Sequence, residues 1–578
     1  MFHAYMRRCM GPAAVMAGMG VAGVAWAQAN ASAPRPFVED QRQQERERVL
    51  RQQQEAVVDE RLQAGAAPGA AQALPEDESP CFRIERITLG GEEAARFQWL
   101  ISEADGRAAG LNDSPVGRCL GTQGINTVLA RLQQALLARG WITTRVLAAP
   151  QDLSTGALDL TLVPGRVAAI RFADPAGDKT NLRSAVPIQP GDLLNLRDIE
   201  QGLENLKRLP TAEADIQIEP AGSGNARPGD SDLVVKYRQQ FPLRTTLSLD
   251  DGGSEATGKT QGGATVAWDN PLGLNDLAYL SLNHDLFNHG GQGTRGYTAH
   301  YSVPYGHWLF SATGSANSYH QTQAGLDQDY VYSGDSTNLE LRASRQIYRD
   351  ASRKTSASIA AFQRSSSNAV NDAEIEVQRR RVGGWLLGLN HREFIGNATL
   401  DANLSYKHGT GAFSALPAPE EAFGEGTSRM RLFMADMALN APFTIGEQRF
   451  RYSALWRAQW NRTRLTPQDQ FAIGGRYTVR GFDGELNLLG ERGWLLRNDI
   501  GWAMGATGAE LYAGIDHGQV GGPSTAYQLG TRLTGGVVGL RGAWQGLNYD
   551  VFVGAPISKP EGFRTAKVTA GFNLSFSF

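Results

Sequence analysis

The end of the chain alternates without a break. Val568, Ala570, Phe572, Leu574, Phe576 and Phe578 fall on one side of an extended strand. Lys567, Thr569, Gly571, Asn573, Ser575 and Ser577 fall on the other. Strand side chains point to opposite faces at every second residue, so this segment has one apolar and one polar face. Leu280 and Leu282 against Ser281, Asn283 and Asp285 repeat the pattern earlier. From residue 241 onward such segments follow one another, separated by clusters of Gly, Asn, Asp and Pro, and helical periodicity is lost. A soluble β-sandwich alternates too. A terminal Phe on the apolar face and an N-terminal export leader favour a transmembrane β-barrel, apolar outside and wet within. Residues 240–578 have room for about 16 antiparallel strands of about 10 residues with their turns and loops. The tight turn at residues 270–275 suits the periplasmic side, and the longer polar stretch 411–428 suits an extracellular loop.

The leader is residues 1–27. Arg7 and Arg8 precede a run of Ala, Gly, Met and Val, and Ala25-Trp26-Ala27 supplies small residues for cleavage. The competing reading is a membrane anchor, but the run is short and rich in Gly and Ala for a span of about 20 strongly apolar residues. Of three cysteines, Cys9 leaves with the leader. Cys81 and Cys119 then form an even pair in an oxidising compartment, which predicts one structural disulfide; two free buried thiols are the alternative. The net charge of −3 gives no reason to expect a nucleic-acid partner.

Residues 28–62 form an N-terminal plug region. Within it, residues 37–62 read as one helix, without Gly or Pro and dense in Glu, Arg and Gln. A helix polar on all sides belongs at a surface or in a wet cavity. Residues 63–80 read as a flexible linker. Two compact α/β units follow, at 81–165 and 166–239. Each has strands around one amphipathic helix, with Val128, Leu129, Leu132, Leu136 and Leu137 on one face of the first helix. Ile199, Leu203, Leu206 and Leu209 line the second.

Gly253 to Thr260 fits the phosphate-loop pattern G-x-x-x-x-G-K-[ST]. That pattern needs a helix N-terminus after it, whereas Gly262 to Trp268 reads as a strand, so a hairpin loop is expected and no nucleotide. There is no H-E-x-x-H and no G-x-S-x-G, and no enzyme, metal site or cofactor is expected. The informative segment is Val479-Arg480-Gly481-Phe482, with Gly474-Gly475 before it and Gly484 after it. Gly481 beside Phe482 suggests a sharp turn with an aromatic anchor. Arg480 needs a carboxylate if it points into a narrow lumen. Asp516, in the alternating strand Tyr512-Ala-Gly-Ile-Asp516-His-Gly518, is a candidate; an exposed loop with a solvated Arg is the bland alternative.

The Val-Arg-Gly-Phe loop and the Tyr-x-Gly-x-Asp-x-Gly strand resemble the two signature segments of the polypeptide-transport barrel superfamily. Cys81-Phe82-x-Ile84, residues 141–145, Gly156-x-Leu158-x-Leu160, residues 164–167 and Asp269-Asn-Pro-Leu-Gly are similar to its two-partner-secretion branch, the TpsB transporters of FhaC and ShlB type. The resemblance implies a plug helix, two periplasmic POTRA domains and a 16-stranded outer-membrane barrel. It implies that Arg480 sits in the lumen on a folded-back loop, against Asp516 and Gly518 of the inner wall. The implied partners are a secreted TpsA-type exoprotein (a large β-helical adhesin, haemolysin or toxin), outer-membrane lipid, and the barrel-assembly machinery during insertion. A BamA-like assembly insertase is the alternative; it usually has more POTRA repeats and no plug helix.

Overall fold

The computed structural model describes residues 36–578, apart from 56–57, 64, 108–109, 176, 178–179, 223–226, 288–290, 326 and 506. The leader assigned to residues 1–27 lies outside the described residues. Sixteen antiparallel strands close into a barrel, the first Leu243–Asp250 and the last Thr569–Ser577. Strands adjacent in sequence are adjacent in the wall. The seam joins Asn573 to Asp250 and Ser577 to Thr246. Thr245 and Phe578 exchange backbone hydrogen bonds of 3.0 Å just beyond it. Closure leaves no strand edge unpaired in lipid, where an unsatisfied backbone group costs several kcal/mol.

The alternation takes the expected sense. Leu247, Leu280, Leu282, Phe576 and Phe578 are exposed on the outside, whereas Thr246, Thr265, Ser302, Asn317 and Ser336 are buried on the inside. One end of the barrel has tight turns, with Gly306, Gly396 and Gly446 each at φ 59°. That end receives the α/β units: Gly306 donates its N–H to the Ser184 carbonyl at 2.8 Å, and Asn181 donates to Gly273 at 2.9 Å. Asp269, wholly buried, accepts from the Thr211 hydroxyl at 2.8 Å. The opposite end bears the long loops.

The two α/β units share one plan. In the first, Ala157–Val163 pairs parallel with Arg86–Gly90 and antiparallel with Arg145–Ala148. In the second, Ser231–Gln239 pairs parallel with Val167–Phe172 and antiparallel with Ala212–Pro220. A helix covers each sheet: α2 (Thr122–Ala138) buries Val128, Leu132 and Leu136, and α3 (Leu196–Lys207) buries Ile199, Leu203 and Leu206. Cys81 and Cys119 are disulfide-bonded.

Two sequence expectations need correction. The N-terminal helix α1 spans Pro36–Gln54 and does not reach residue 62. Arg244 of the barrel wall ends it, donating to the Gln54 carbonyl at 3.4 Å and to its side-chain oxygen at 3.3 Å. A cation at a helix C-terminus satisfies free carbonyls there. The stretch 66–80 is not a free linker. Leu74 is buried in the first α/β core. Glu78 accepts the N–H groups of Gly121, Gln123 and Gly124 at the start of α2. A carboxylate that fills the orphan donors of a helix N-terminus is a cap supplied from 43 residues away.

Candidate functional site

The lumen is filled by two things, α1 and the loop between the strands Gln448–Asn461 and Arg492–Ala503. The loop folds inward, and its tip carries Val479, Arg480, Gly481 and Phe482. Arg480 is 3% exposed and Asp516 0%. Arg480 Nε donates to Asp516 Oδ2 at 2.7 Å, and Nη2 donates to Asp516 Oδ1 at 2.8 Å. The Arg480 backbone N–H reaches the same carboxylate at 2.9 Å. The structure therefore brings together the cation and the acid that the sequence singled out.

A second carboxylate, Asp499, was not foreseen. It accepts from Arg480 Nη2 at 2.5 Å and from Nη1 at 3.3 Å. Asp499 stands opposite Gly514 in the register of neighbouring strands, and Asp516 opposite Arg497. Both acids thus come from facing positions on one wall patch. Burial opposes the charge on Arg480, and the two carboxylates compensate it. The arrangement is a dry, bidentate, charge-assisted clamp.

The loop tip can lie on the wall because the wall lacks side chains under it. A Cβ on Gly535 would stand 1.8 Å from the Arg480 carbonyl oxygen, and one on Gly514 would stand 2.3 Å from the Asp499 carboxylate. A Cβ on Gly518 would meet Val479 and Ile473 at 2.9 Å. Gly481 takes φ 92°, in the left-handed region, with its Cα against Gly554. Val479 and Phe482 anchor the tip in an apolar cluster with Ile473, Leu488, Leu533 and Phe563. The rings of Phe482 and Phe563 meet edge to face at 5.9 Å.

The helix α1 is held differently. Glu45 pairs with Arg457 at 2.6 Å, Arg48 with Asp436 at 3.3 Å and Arg51 with Glu340 at 3.8 Å. Arg42 donates to the Gly484 carbonyl of the inward loop at 2.8 Å, and Gln468 of that loop donates to Asp40 at 3.0 Å. Val38 is buried and Leu50 packs on a small cluster near the periplasmic rim. Partly hydrated ion pairs are worth about 0–1 kcal/mol each. A sum of such pairs holds a helix in place yet leaves it removable. The Gly253–Thr260 segment runs into the strand Gln261–Asp269, and Ser254 within it donates to Glu39 of α1 at 3.2 Å. It packs against the plug and presents no helix N-terminus to a phosphate.

Residues 58–63 are extended and wedged between the second α/β unit and the barrel rim. Asp59 pairs with Lys354 at 2.6 Å and Arg392 at 2.8 Å. The N–H groups of Glu60 and Leu62 donate to Glu204 and Glu200 of α3 at 3.0 and 2.8 Å. Arg349 of the wall binds Glu200 and Glu204 at 2.9 Å.

A family model described as haemolysin secretion/activation protein ShlB/FhaC/HecB matches residues 229–542. Models for the POTRA domain, ShlB-type, and for the POTRA domain match residues 101–165 and 166–220. The chain is 36% identical over 559 residues to the outer membrane transporter CdiB-2 of Burkholderia pseudomallei strain 1026b, covering 93% of this chain and 94% of the relative. It is 27% identical to the hemolysin transporter protein ShlB of Serratia marcescens over 78% of each chain. Among solved structures, CdiB from Acinetobacter baumannii superposes with a TM-score of 0.81 at 30% identity, over 94% of this chain and 98% of that one. CdiB from Escherichia coli shares the fold, with a TM-score of 0.83 at 24% identity, over 94% and 99%.

Proposed function

The chain belongs to the ShlB/FhaC/HecB family of haemolysin secretion/activation proteins, and from that premise we propose how its lumen exports an unfolded partner. It is a TpsB-type outer-membrane transporter of two-partner secretion, with its POTRA domains in the periplasm. Family membership decides against the assembly-insertase alternative. The cargo is a large TpsA-type exoprotein that reaches the periplasm unfolded. Its N-terminal segment adds to a free edge of a POTRA sheet, where main-chain hydrogen bonds tolerate many sequences and alternate side chains select. The chain then threads the barrel in place of α1. Folding outside makes the movement one-way, so no catalytic step and no nucleotide is needed.

The observation that carries this reading is the contrast within the lumen. The loop tip is clamped by the nearly buried Arg480, Asp499 and Asp516, while the plug's pairs Glu45–Arg457, Arg48–Asp436 and Arg51–Glu340 are partly exposed. A pathway opens when the weakly held element leaves and the strongly held one stays. The test is reconstitution: purified transporter in liposomes, with a urea-denatured TpsA-type exoprotein added to the POTRA side. Protease-protected exoprotein inside the vesicles without ATP is expected; no accumulation, or accumulation only with ATP, would overturn it.

A further inference from the structure

Three consecutive wall strands end at the extracellular rim with the same outward pair. The strand Arg431–Ile445 has Arg431 two residues above Phe433, and Arg492–Ala503 has Arg492 two residues above Trp494. The strand Gln448–Asn461 has Trp460, with Arg462 two residues beyond it. The facing is fixed by the partners of the alternate residues: Asp436, Arg457 and Asp499 point into the lumen, where they bind Arg48, Glu45 and Arg480. Two residues of strand are about 7 Å. Arg431 and Arg462 therefore face each other about one pleat above the facing pair Phe433 and Trp460, and Arg492, next in the register after Gln459 opposite Gly493, lies beside Trp460 one pleat lower.

The aromatic row marks the membrane interface. Phe433 stands opposite Trp460 in register, and Trp460 and Trp494 are 44% and 36% exposed. Above it, Arg431 and Arg462 are cross-strand neighbours, with the Arg462 N–H on the Arg431 carbonyl at 2.7 Å. All three arginines are exposed, and none pairs with a carboxylate among the described residues. The outward positions below them on these strands, such as Ala435, Met437, Trp456, Ala458, Leu496 and Asn498, include no acid. Like charges directly opposite on a sheet repel. At the other rim the outward Arg353 is neutralised by Glu393 at 3.0 Å.

We propose that Arg431, Arg462 and Arg492 form a headgroup site for a phosphorylated lipid of the outer leaflet, whose acyl chains lie on the aromatic and aliphatic wall beneath. Guanidinium forks bind phosphate oxygens bidentately. The height of Arg431 and Arg462, one pleat above Phe433 and Trp460, with Arg492 beside Trp460, is that of a headgroup resting on the aromatic level and not of a loop-bound ligand. The anion removes the repulsion between Arg431 and Arg462 and ties this side of the wall to the leaflet.

The experiment titrates detergent-purified transporter with bisphosphorylated lipid A and reads bound lipid by native mass spectrometry. Wild type is expected to retain the lipid, and the R431Q/R462Q/R492Q variant to bind it at least tenfold more weakly. R431K/R462K/R492K should recover part of the binding, and R353Q should bind as wild type. Equal retention by the triple Gln variant, or equal binding of dephosphorylated lipid A, overturns the site. So does displacement of the lipid by equimolar inorganic phosphate, which would make it a free-anion site. Heat-modifiable migration in SDS gels shows that each variant is folded; if the triple variant is not, R462Q alone carries the comparison.

Discussion

At the scale of single residues, the clamp on Arg480 joins a nearly buried cation to two carboxylates of the wall. Removing one member of a buried pair leaves an uncompensated charge, which costs on the order of 3–5 kcal/mol in a dry site. Arg480→Ala is expected to insert into the membrane yet secrete poorly, because the loop tip detaches while the wall of paired strands is untouched. Secretion assays beside heat-modifiability check this, and normal secretion would remove the assigned role. Gly535→Ala tests the same seating without changing a charge. Its added carbon would overlap the Arg480 carbonyl oxygen, so it should mimic Arg480→Ala and expose the loop to added protease. Asp113 gives a pH prediction. Burial alone would raise its pKa, but Arg131 at 2.8 Å and the Leu74 N–H at 2.7 Å outweigh that and lower it. A carboxyl held lower in the folded state stabilises fully above its unfolded pKa of about 4, and that contribution is lost as pH falls through the lower folded value. The first POTRA domain should therefore loosen in acid below about pH 4, with Asp113→Asn already loosened at neutral pH. Hydrogen exchange around residues 72–74 reads the difference.

At the scale of elements, α1 was legible because its polarity is local: no face of it could join a core. Deleting residues 36–54 is expected to raise conductance in planar bilayers severalfold, and unchanged conductance would show that the helix does not obstruct the pore. Its end was not legible. No Gly or Pro stops it at Gln54; a wall arginine 190 residues away does. The segment 66–80 misled for the same reason, since Leu74 and Glu78 find their partners only once α2 and its sheet exist. Strand alternation was readable because a strand's two faces depend on nothing but its own sequence. Asp516 was readable through its motif and its inward parity. Asp499 has the same parity but no motif, and its place beside Arg480 follows from strand register, which a single strand does not encode. The glycines at 514, 518 and 535 look alike in sequence to any barrel glycine. Only the loop lying on them gives them meaning.

At the scale of the whole molecule, three bodies meet at residues 59–62: the barrel rim through Arg349, Lys354 and Arg392, the second POTRA domain through Glu200 and Glu204, and the chain leaving α1. Replacing both Glu200 and Glu204 with Gln leaves the Arg349 cation underpaired, and the second POTRA domain should swing more widely against the barrel. Spin-label distances between that domain and the rim should broaden, while the barrel keeps its resistance to heat. The same junction governs what becomes of a displaced helix. Residues 59–62 are pinned on the periplasmic side, so α1 vacating the lumen stays on a leash of a few residues. Its return is an intramolecular event, at a local concentration on the order of millimolar for so short a tether. Resealing after each round then needs no second molecule and no signal; the bung hangs beside the drain it fits.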